Sequence, residues 1–351
     1  MPSERTRRSV GRWVLGALIA VVFGCGDGKT PLVIYSPHGR DLLRLTERLF
    51  EAENPDIDVR ALDMGSQEVL DRVRSERANP QADIWFGAPS ILFARAANDS
   101  LLAAYRPSWA SAIPARGRGV GDFFFSAYET PAIIAFNSNA IDPTEAPQDW
   151  DDVLAPKWSG QVLIRNPIAS GTMRAIFGMV ILRGLQAHGD TSAGFDWLRR
   201  LDAQTIDYPL NPALLHQKLL REEGTLTLWD LPDILIEQSR GSPFGFVLPA
   251  SGTPVIEDAI AIVRGAQHRE AAQRFVEWVG STSAQLQAAH EMFRMPARQD
   301  LPADSLPDWL REVRANLVVE DMDWDRVATD GAAWMMYWDR NVRGRGAPDP
   351  R

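Results

Sequence analysis

Strand-type and helix-type residue patterns alternate along the first part of this chain. A β-branched and aromatic run at residues 32–35 precedes residues 40–53, whose apolar side chains recur at the spacing of one helical face. A second strand-type run at 57–62, a helical pattern that begins at Ser66 and a third strand-type run at 83–87 follow. Strands that alternate with helices form parallel sheets, because each parallel connection needs a crossover. The pattern therefore predicts the α/β class.

The rest of the chain is long enough for a second domain. The sequence has 351 residues, and a domain usually takes about 100–200. Further strand-type runs at 132–137 and 259–263 predict more sheet. In the last predicted helix, at 323–342, Trp334 and Trp338 are four residues apart and share one face. We expect that face to pack against a core rather than against a partner.

The N-terminus has the pattern of an export signal. Basic residues precede an apolar run at 13–23, which is too short to span a bilayer, since spanning takes about twenty residues. Gly24 and Cys25 then look like a lipobox, in which the thiol receives a lipid and cleavage makes Cys25 the new N-terminus. We expect a signal peptide at 1–24, lipidation at Cys25 and a tether at 25–31. The alternative is a buried cysteine; with one cysteine in the chain, no intrachain disulfide is expected.

The charge balance argues against nucleic-acid binding. The formal net charge is −9, and residues 1–24 contribute four Arg and one Glu, a net +3 that leaves −12 for the mature chain. Sequence-independent nucleic-acid binding depends on cationic patches, which so acidic a chain is poorly suited to provide. A few basic groups in a cleft would still suffice to hold a small anion.

Motifs that carry catalysis are missing from the sequence. It contains no G-x-S-x-G nucleophile elbow, no Ser three residues before a Lys and no H-E-x-x-H zinc motif. Gly28-Lys29-Thr30 looks like the end of a phosphate-binding P-loop, but the position of its first Gly is Phe23, inside the predicted signal peptide. We therefore expect a binding protein without a cofactor, not an enzyme.

Several short motifs occur in an order that resembles one family. They span roughly residues 31–342 and are Tyr35-Ser36-Pro37-His38, Phe50 to Pro55, Gly65-Ser66, Ala82 to Phe86, Leu101 to Tyr105, Pro147 to Leu154, Pro167 with Ser170-Gly171-Thr172, Gly252-Thr253-Pro254 and Ile260 to Val263. No single motif is specific. Their order is similar to that in the ferric-iron-type (family 1) extracellular solute-binding proteins of ABC importers, which belong to the two-lobed periplasmic binding proteins.

The resemblance implies a two-lobed fold of the type II, venus-flytrap kind, with a hinge between the lobes and the ligand in the cleft. The chain would leave lobe one near Pro131 and return to it near Val255. The predicted divisions are lobe one at 32–131 and 255–300, lobe two at 132–254 and 301–342, and a disordered tail at 343–351.

The resemblance does not carry iron binding to this chain. Iron-binding members use a His after the first strand, a Glu after the third and two adjacent Tyr in the second lobe. His38 matches the first position, but Ala88 occupies the Glu position and no two Tyr are adjacent anywhere in the chain. Fe³⁺ depends on phenolate and carboxylate oxygen, so we expect no metal, with His38 as the one ligand left if iron is bound.

Residues at strand ends and helix starts fit an anion better. A helix start such as Ser170-Gly171-Thr172 offers free N–H groups, and α/β sheets bind ligands at the carboxyl ends of their strands. Arg165 could grip a phosphate, and Asp230 could accept hydrogen bonds from an amine or hydroxyl; simple helix capping and surface positions are the alternatives. The predicted ligand-binding residues are Ser36, His38, Gly39, Gly65, Ser66, Gly87, Ala88, Pro89, Arg165, Ser170, Gly171, Thr172, Trp229 and Asp230.

Together these patterns predict a monomeric lipoprotein in the periplasm or on the cell surface. It would capture a small anion, either phosphorylated, a phosphonate or another oxyanion, and pass it to a cognate ABC permease. A ferric-iron-binding protein and a ligand-sensing receptor domain with the same fold are the alternatives.

Overall fold

A computed structural model describes residues 28–345, so the predicted signal peptide, Cys25 and residues 346–351 lie outside the described residues. The strands are β1 Thr30–Ser36, β2 Ile57–Asp63, β3 Ile84–Pro89, β4 Leu102–Ala103, β5 Phe125–Asn137, β6 Val162–Leu163, β7 Thr205–Asp207, β8 Leu226–Asp230, β9 Phe244–Val247, β10 Val255–Val263 and β11 Met295–Pro296. The helices are α1 Gly39–Glu53, α2 Ser66–Ser75, α3 Ser90–Asn98, α4 Gly171–His188, α5 Ser192–Gln204, α6 Pro212–Leu220, α7 Leu231–Ser239, α8 Arg269–Val279, α9 Thr282–Met292, α10 Asp308–Asn316 and α11 Trp324–Asn341.

The strands form a mixed sheet in two parts, which confirms the α/β class. In the first part, β1 pairs in parallel with β2 and β3, as the α1 and α2 crossovers require, and β10 pairs antiparallel with β3 and β5. In the second part, β5 pairs antiparallel with β8 and β9, and β6 lies parallel between β7 and β8.

The long strand β5 joins the two parts. Its first half pairs with β10 and its second half with β8 and β9, and Pro131 lies opposite Val255 where the partner changes. Separate hydrophobic cores lie on either side: two draw on residues 32–128 and 259–297, and one draws on 132–244 and 289–342. The chain therefore passes from one part to the other near Pro131 and returns near Val255. Ala289 and Met295, which fall in the predicted lobe-one segment 255–300, pack against the second core. The lobe boundaries themselves stay a prediction.

Helix α1 shows how the sequence sets an element. Leu42, Leu45 and Phe50 recur on one face and are buried against the first lobe. Burial of each such side chain contributes about 1.5–3 kcal/mol. The helix ends at Glu53 because Pro55 follows closely. A proline in a helix interior has no N–H group to donate, and its ring clashes with the preceding turn.

Helix α11 packs as predicted, with Trp334 and Trp338 7% and 0% exposed in the second core. The predicted tail at 343–351 is not free at its start, because the N–H groups of Gly344 and Arg345 each donate to the Asp202 carboxylate at 3.0 Å. Thr30 and Pro31, the last two residues of the predicted tether at 25–31, belong to β1. Within residues 28–345, no helix has both the length and the apolar character needed to cross a membrane.

Candidate functional site

The two lobes meet at the strand ends and helix starts that the sequence singles out. A Cβ atom added at Gly171, the first residue of α4, would lie 2.8 Å from Pro89 Cγ and Cδ and 3.2 Å from Ser66 Oγ in the other lobe. A Cβ atom on Gly65 would lie 3.4 Å from the Ala169 carbonyl oxygen. The structure is therefore a closed form, with four of the predicted residues in contact across the cleft.

His38 and Gly87 form a tight pair in lobe one. His38 stands at the N-cap position of α1 without a side-chain capping hydrogen bond. It is 8% exposed and makes edge contacts with Phe86 and Tyr128 at ring-centroid distances of 4.7 and 5.8 Å. Gly87 has φ +90°, and a Cβ atom there would lie 2.5 Å from the His38 ring. Burial, with a smaller effect of the Arg294 charge, lowers the pKa of His38 well below its usual value. The imidazole is therefore neutral at physiological pH.

The turn around His38 holds the end of β1. Ser36 is fully buried, and its Oγ accepts a hydrogen bond from the His38 N–H at 3.1 Å. Gly39 has φ +77°, and its N–H donates to Asp63, whose pKa is raised by burial. Ala88 has φ +93°, a backbone angle that a non-glycine residue seldom adopts and that is typical of functional sites. Ser36 and Gly39 thus order the turn.

In lobe two, several predicted ligand residues cap helices. Ser170 Oγ accepts from the Met173 N–H at 3.2 Å, which is ordinary N-capping of α4. Asp230 caps α7 by accepting from the Asp233 N–H at 3.2 Å, and Thr172 Oγ1 lies 3.5 Å from Asp230 Oδ2. Trp229 Nε1 donates to Asp233 Oδ2 at 3.0 Å. Capping, the simpler of the two interpretations for Ser170 and Asp230, thus accounts for hydrogen bonds of both.

Two buried arginines lie between the lobes. Arg165, which the sequence predicted, is 9% exposed, and its guanidinium carbon is 5.6 Å from the centre of the Trp229 ring. Arg294, which sequence reasoning missed, follows α9, is 4% exposed and places Nη2 3.8 Å from Asp233 Oδ1. Within residues 28–345, neither Nε has a hydrogen-bond partner. Each arginine therefore has an Nε–H donor that no described residue accepts from.

Carboxylates surround these arginines. Burial, and next the charge of Asp233, raises the pKa of Asp230 well above its usual value. Burial raises the pKa of Asp258 to about 6, although Thr130 Oγ1 donates to it at 2.5 Å. Burial lowers the pKa of Arg165, and the charges of Asp233, Asp230 and Asp63 oppose that fall. The cleft therefore contains both positive and negative side chains, whereas the sequence predicts mainly groups that would bind an anion.

The residues that sequence reasoning missed carried weak signals. Asp258 is a polar residue inside the apolar strand β10, and Arg294 is a lone cation between Phe293 and Met295. Asp63 comes one position after the predicted strand at 57–62, and Asp233 comes three positions after the end of β8.

A charged pair also bridges the lobes at the surface: Arg240 of α7 and Asp41 of α1 are 2.6 Å apart, with side chains 49% and 48% exposed. Within residues 28–345, no group of three or more His, Cys, Asp or Glu side chains is placed to hold a metal ion. His38 is thus not part of a metal-type cluster there.

Known proteins are similar to this chain in sequence and in fold. A family model described as "Bacterial extracellular solute-binding protein" matches residues 84–329. A "Probable ABC transporter periplasmic-binding protein" of Sinorhizobium fredii is 26% identical over 314 residues, which are 89% of this chain and 86% of that protein. A "Putative 2-aminoethylphosphonate-binding periplasmic protein" of Salmonella typhimurium is 26% identical over 290 residues, 80% of this chain and 82% of that protein.

Among solved structures, the periplasmic binding protein AfuA from Actinobacillus pleuropneumoniae, with exogenous fructose-6-phosphate bound, superposes with a TM-score of 0.78. The two are 22% identical, and the match covers 90% of this chain and 99% of AfuA. This likeness confirms the predicted two-lobed periplasmic-binding-protein fold.

Proposed function

This chain belongs to the bacterial extracellular solute-binding proteins of the ABC-importer type, and from that premise we propose that its cleft captures a small oxyanion that also carries an amine or hydroxyl group. The cleft then closes on the solute, and the protein delivers it to a cognate permease. Relatives of this chain are periplasmic binding proteins, not enzymes.

The pairing of buried arginines with buried carboxylates supports this solute class. Arg165 and Arg294 each keep an unpaired Nε–H within the described residues, and guanidinium groups bind phosphate and phosphonate oxygen well. Asp230 and Asp258 offer acceptors to an amine or a hydroxyl group, beside those arginines. A solute with an anion at one end and a donor at the other would satisfy both sets at once.

The charged groups of the cleft come from both lobes, so they bear on how the cleft closes. Burial lowers the pKa of Arg165 in lobe two, and the charge of Asp63 in lobe one is among those that oppose this fall. Burial raises the pKa of Asp230 in lobe two and of Asp258 in lobe one, and the charge of Arg294 opposes the rise at both. Only a solute that binds the closed form better than the open form can shift the hinge. A solute that contacts these groups from both lobes meets that condition.

A pair of matched fragments tests the solute class. The name of the Salmonella relative makes 2-aminoethylphosphonate the first compound to try. Ethylphosphonate and ethylamine are the fragments, because each lacks one of its two charged groups. By isothermal titration and thermal shift, we expect 2-aminoethylphosphonate or fructose 6-phosphate to bind more tightly than either fragment. A solute at a hundred times its Kd stabilises the fold by about 2.7 kcal/mol. Stabilisation by ferric citrate alone, with a visible charge-transfer band, would favour the iron alternative.

Arg294→Gln tests the residue that the proposal depends on most. Loss of a hydrogen bond to a charged group costs about 1.5–3 kcal/mol, which is a roughly 10–150-fold weaker Kd. Arg200→Gln, an exposed arginine of α5, is the matched control and should leave the Kd unchanged. An unchanged Kd in Arg294→Gln would contradict the proposed site.

We also propose that Cys25 anchors the mature protein to a membrane. The apolar run at 13–23 and the lone cysteine support this, although Cys25 lies outside the described residues. A Cys25→Ala variant should be found in the soluble fraction and should fail to partition into Triton X-114. If it stayed membrane-bound with unchanged processing, the lipoprotein prediction would be wrong.

A further inference from the structure

A second cavity lies outside the cleft, where α2 and α3 of lobe one face α11. Its volume is about 250 Å³. Gln67 and Arg95 line it from lobe one, and Arg174 and Arg340 line it from α4 and α11. Neither Arg165 nor Arg294 lines it, so it is separate from the centre of the cleft. We call it the arginine cavity.

The arginine cavity concentrates positive charge that protein groups neutralise only in part. Within residues 28–345, the side chains of Arg95 and Arg340 have no hydrogen bond or ion pair, and the Arg174 guanidinium donates only to the carbonyl oxygens of Pro167 and Ile168. The one acidic lining residue, Asp339, pairs with Arg343 at 3.2 Å. Such a set is unexpected in a chain with a net charge of −9.

Burial and proximity make the Arg174 cation costly. Burial lowers the pKa of Arg174, the positive charge of Arg95 lowers it further and the charge of Asp71 opposes both effects, so the Arg95 and Arg174 guanidinium groups repel each other. Like charges held together across a lobe boundary disfavour closure unless an anion lies between them. The buried Met335 side chain adds an apolar wall to the same space.

We propose that the arginine cavity binds a phosphate group, either of a small phosphorylated molecule or of a lipid headgroup. Guanidinium groups bind phosphate oxygen through paired N–H donors. Because Arg95 lies on lobe one and Arg174 on lobe two, a phosphate bound by both stabilises the closed form independently of the solute in the cleft. The inference does not rest on the identity of the cleft solute.

Inorganic phosphate is the first probe, titrated calorimetrically into the mature protein at low ionic strength. An Arg294→Gln background removes one arginine of the cleft and leaves Arg165, so binding at the cavity is identified there by its dependence on Arg95 and Arg340. In that background we expect a phosphate site to remain, and Arg340→Ala or Arg95→Ala to weaken it about tenfold or more. Arg200→Ala should leave it unchanged. Thermal denaturation of each variant without phosphate verifies that it folds.

Two results would overturn the proposal: no phosphate binding in the Arg294→Gln background at millimolar concentrations, or binding there that neither Arg340→Ala nor Arg95→Ala weakens. Failure of the cleft proposal would give a different pattern, in which Arg294→Gln leaves 2-aminoethylphosphonate binding unchanged while the Arg340 effect persists. Flotation with phosphatidylcholine vesicles, with and without phosphatidylglycerol, identifies the source. Arg340-dependent flotation supports a lipid headgroup; phosphate binding without flotation supports a soluble phosphate ester.

Discussion

Gly171 is the residue whose substitution most directly tests closure of the cleft. In Gly171→Ala, the new Cβ atom would lie 2.8 Å from two carbon atoms of Pro89 across the cleft, whereas carbon atoms pack best at about 3.5–4.0 Å. Pro89 is a rigid ring on β3 and cannot turn aside, so the lobes must stay roughly 1 Å further apart. Overpacking of this kind costs about 1–3 kcal/mol. We therefore expect a Kd about 5–150-fold weaker for the solute that the cleft binds.

The same substitution should leave the ligand-free protein at least as stable. Gly171 lies in the first turn of α4, where Ala is favoured over Gly by up to about 1 kcal/mol. Gly331→Ala of α11 is the matched control, because its Cβ atom would lie 3.7 Å from Val327 Cγ1, an ordinary contact. Titration calorimetry gives the Kd values and urea unfolding the stabilities. Unchanged affinity in Gly171→Ala, or a loss of stability equal to its loss of affinity, would refute the argument.

Two further substitutions test the interior of the site. In Gly87→Ala, the new Cβ atom overlaps the His38 ring at a position whose φ of +90° is already strained for alanine. Gly160→Ala is the control, because it adds strain at φ +69° with no atom within 4 Å. We expect urea unfolding to show that Gly87→Ala is about 1–3 kcal/mol less stable than Gly160→Ala. Burial raises the pKa of Asp258 from 3.8 to about 6, so its protonated form stabilises the fold below about pH 4, and that contribution is lost as the pH rises through 6. The shift amounts to about 3 kcal/mol, and Asp258→Asn should remove that part of the fall in unfolding free energy between pH 4 and pH 7; an identical pH profile in the variant would contradict the assignment.

Local patterns predicted much of the fold. Residues 40–53 and the segment that begins at Ser66 are predicted as helices and fold as α1 and α2, because apolar periodicity and helix-terminating residues act within a few turns. Helix α3 was missed although Gly87, Pro89 and Ser90 mark a turn at its start, because a helix of nine residues shows its apolar periodicity over fewer than three turns. The strand predicted at 132–137 is the second half of β5, and only its pairing with β10 reveals the first half.

The site was predictable only in part, for a physical reason. Strand ends such as Gly87 and helix starts such as Gly171 carry small residues, and the sheet brings their positions together in any fold of this class. Arg294 lies far along the chain from Asp233, and only tertiary packing places the two side chains 3.8 Å apart. Arg165 and Asp230 follow predicted strands and could therefore be proposed from the sequence, whereas Arg294, Asp233 and Asp258 join them only through tertiary packing.

The surface pair of Asp41 and Arg240 bears on how long a captured solute remains inside. The two side chains are about half exposed, so dissolved salt screens their attraction within a Debye length of about 8–10 Å. The pair must break before the lobes separate, but it has not yet formed when a solute first enters. Exposed pairs contribute about 0.2–1 kcal/mol, which corresponds to at most about a fivefold change in the opening rate. We therefore expect the residence time of the solute to shorten as ionic strength rises, while the rate of capture changes little. The salinity around the protein would then set how quickly a captured solute is released.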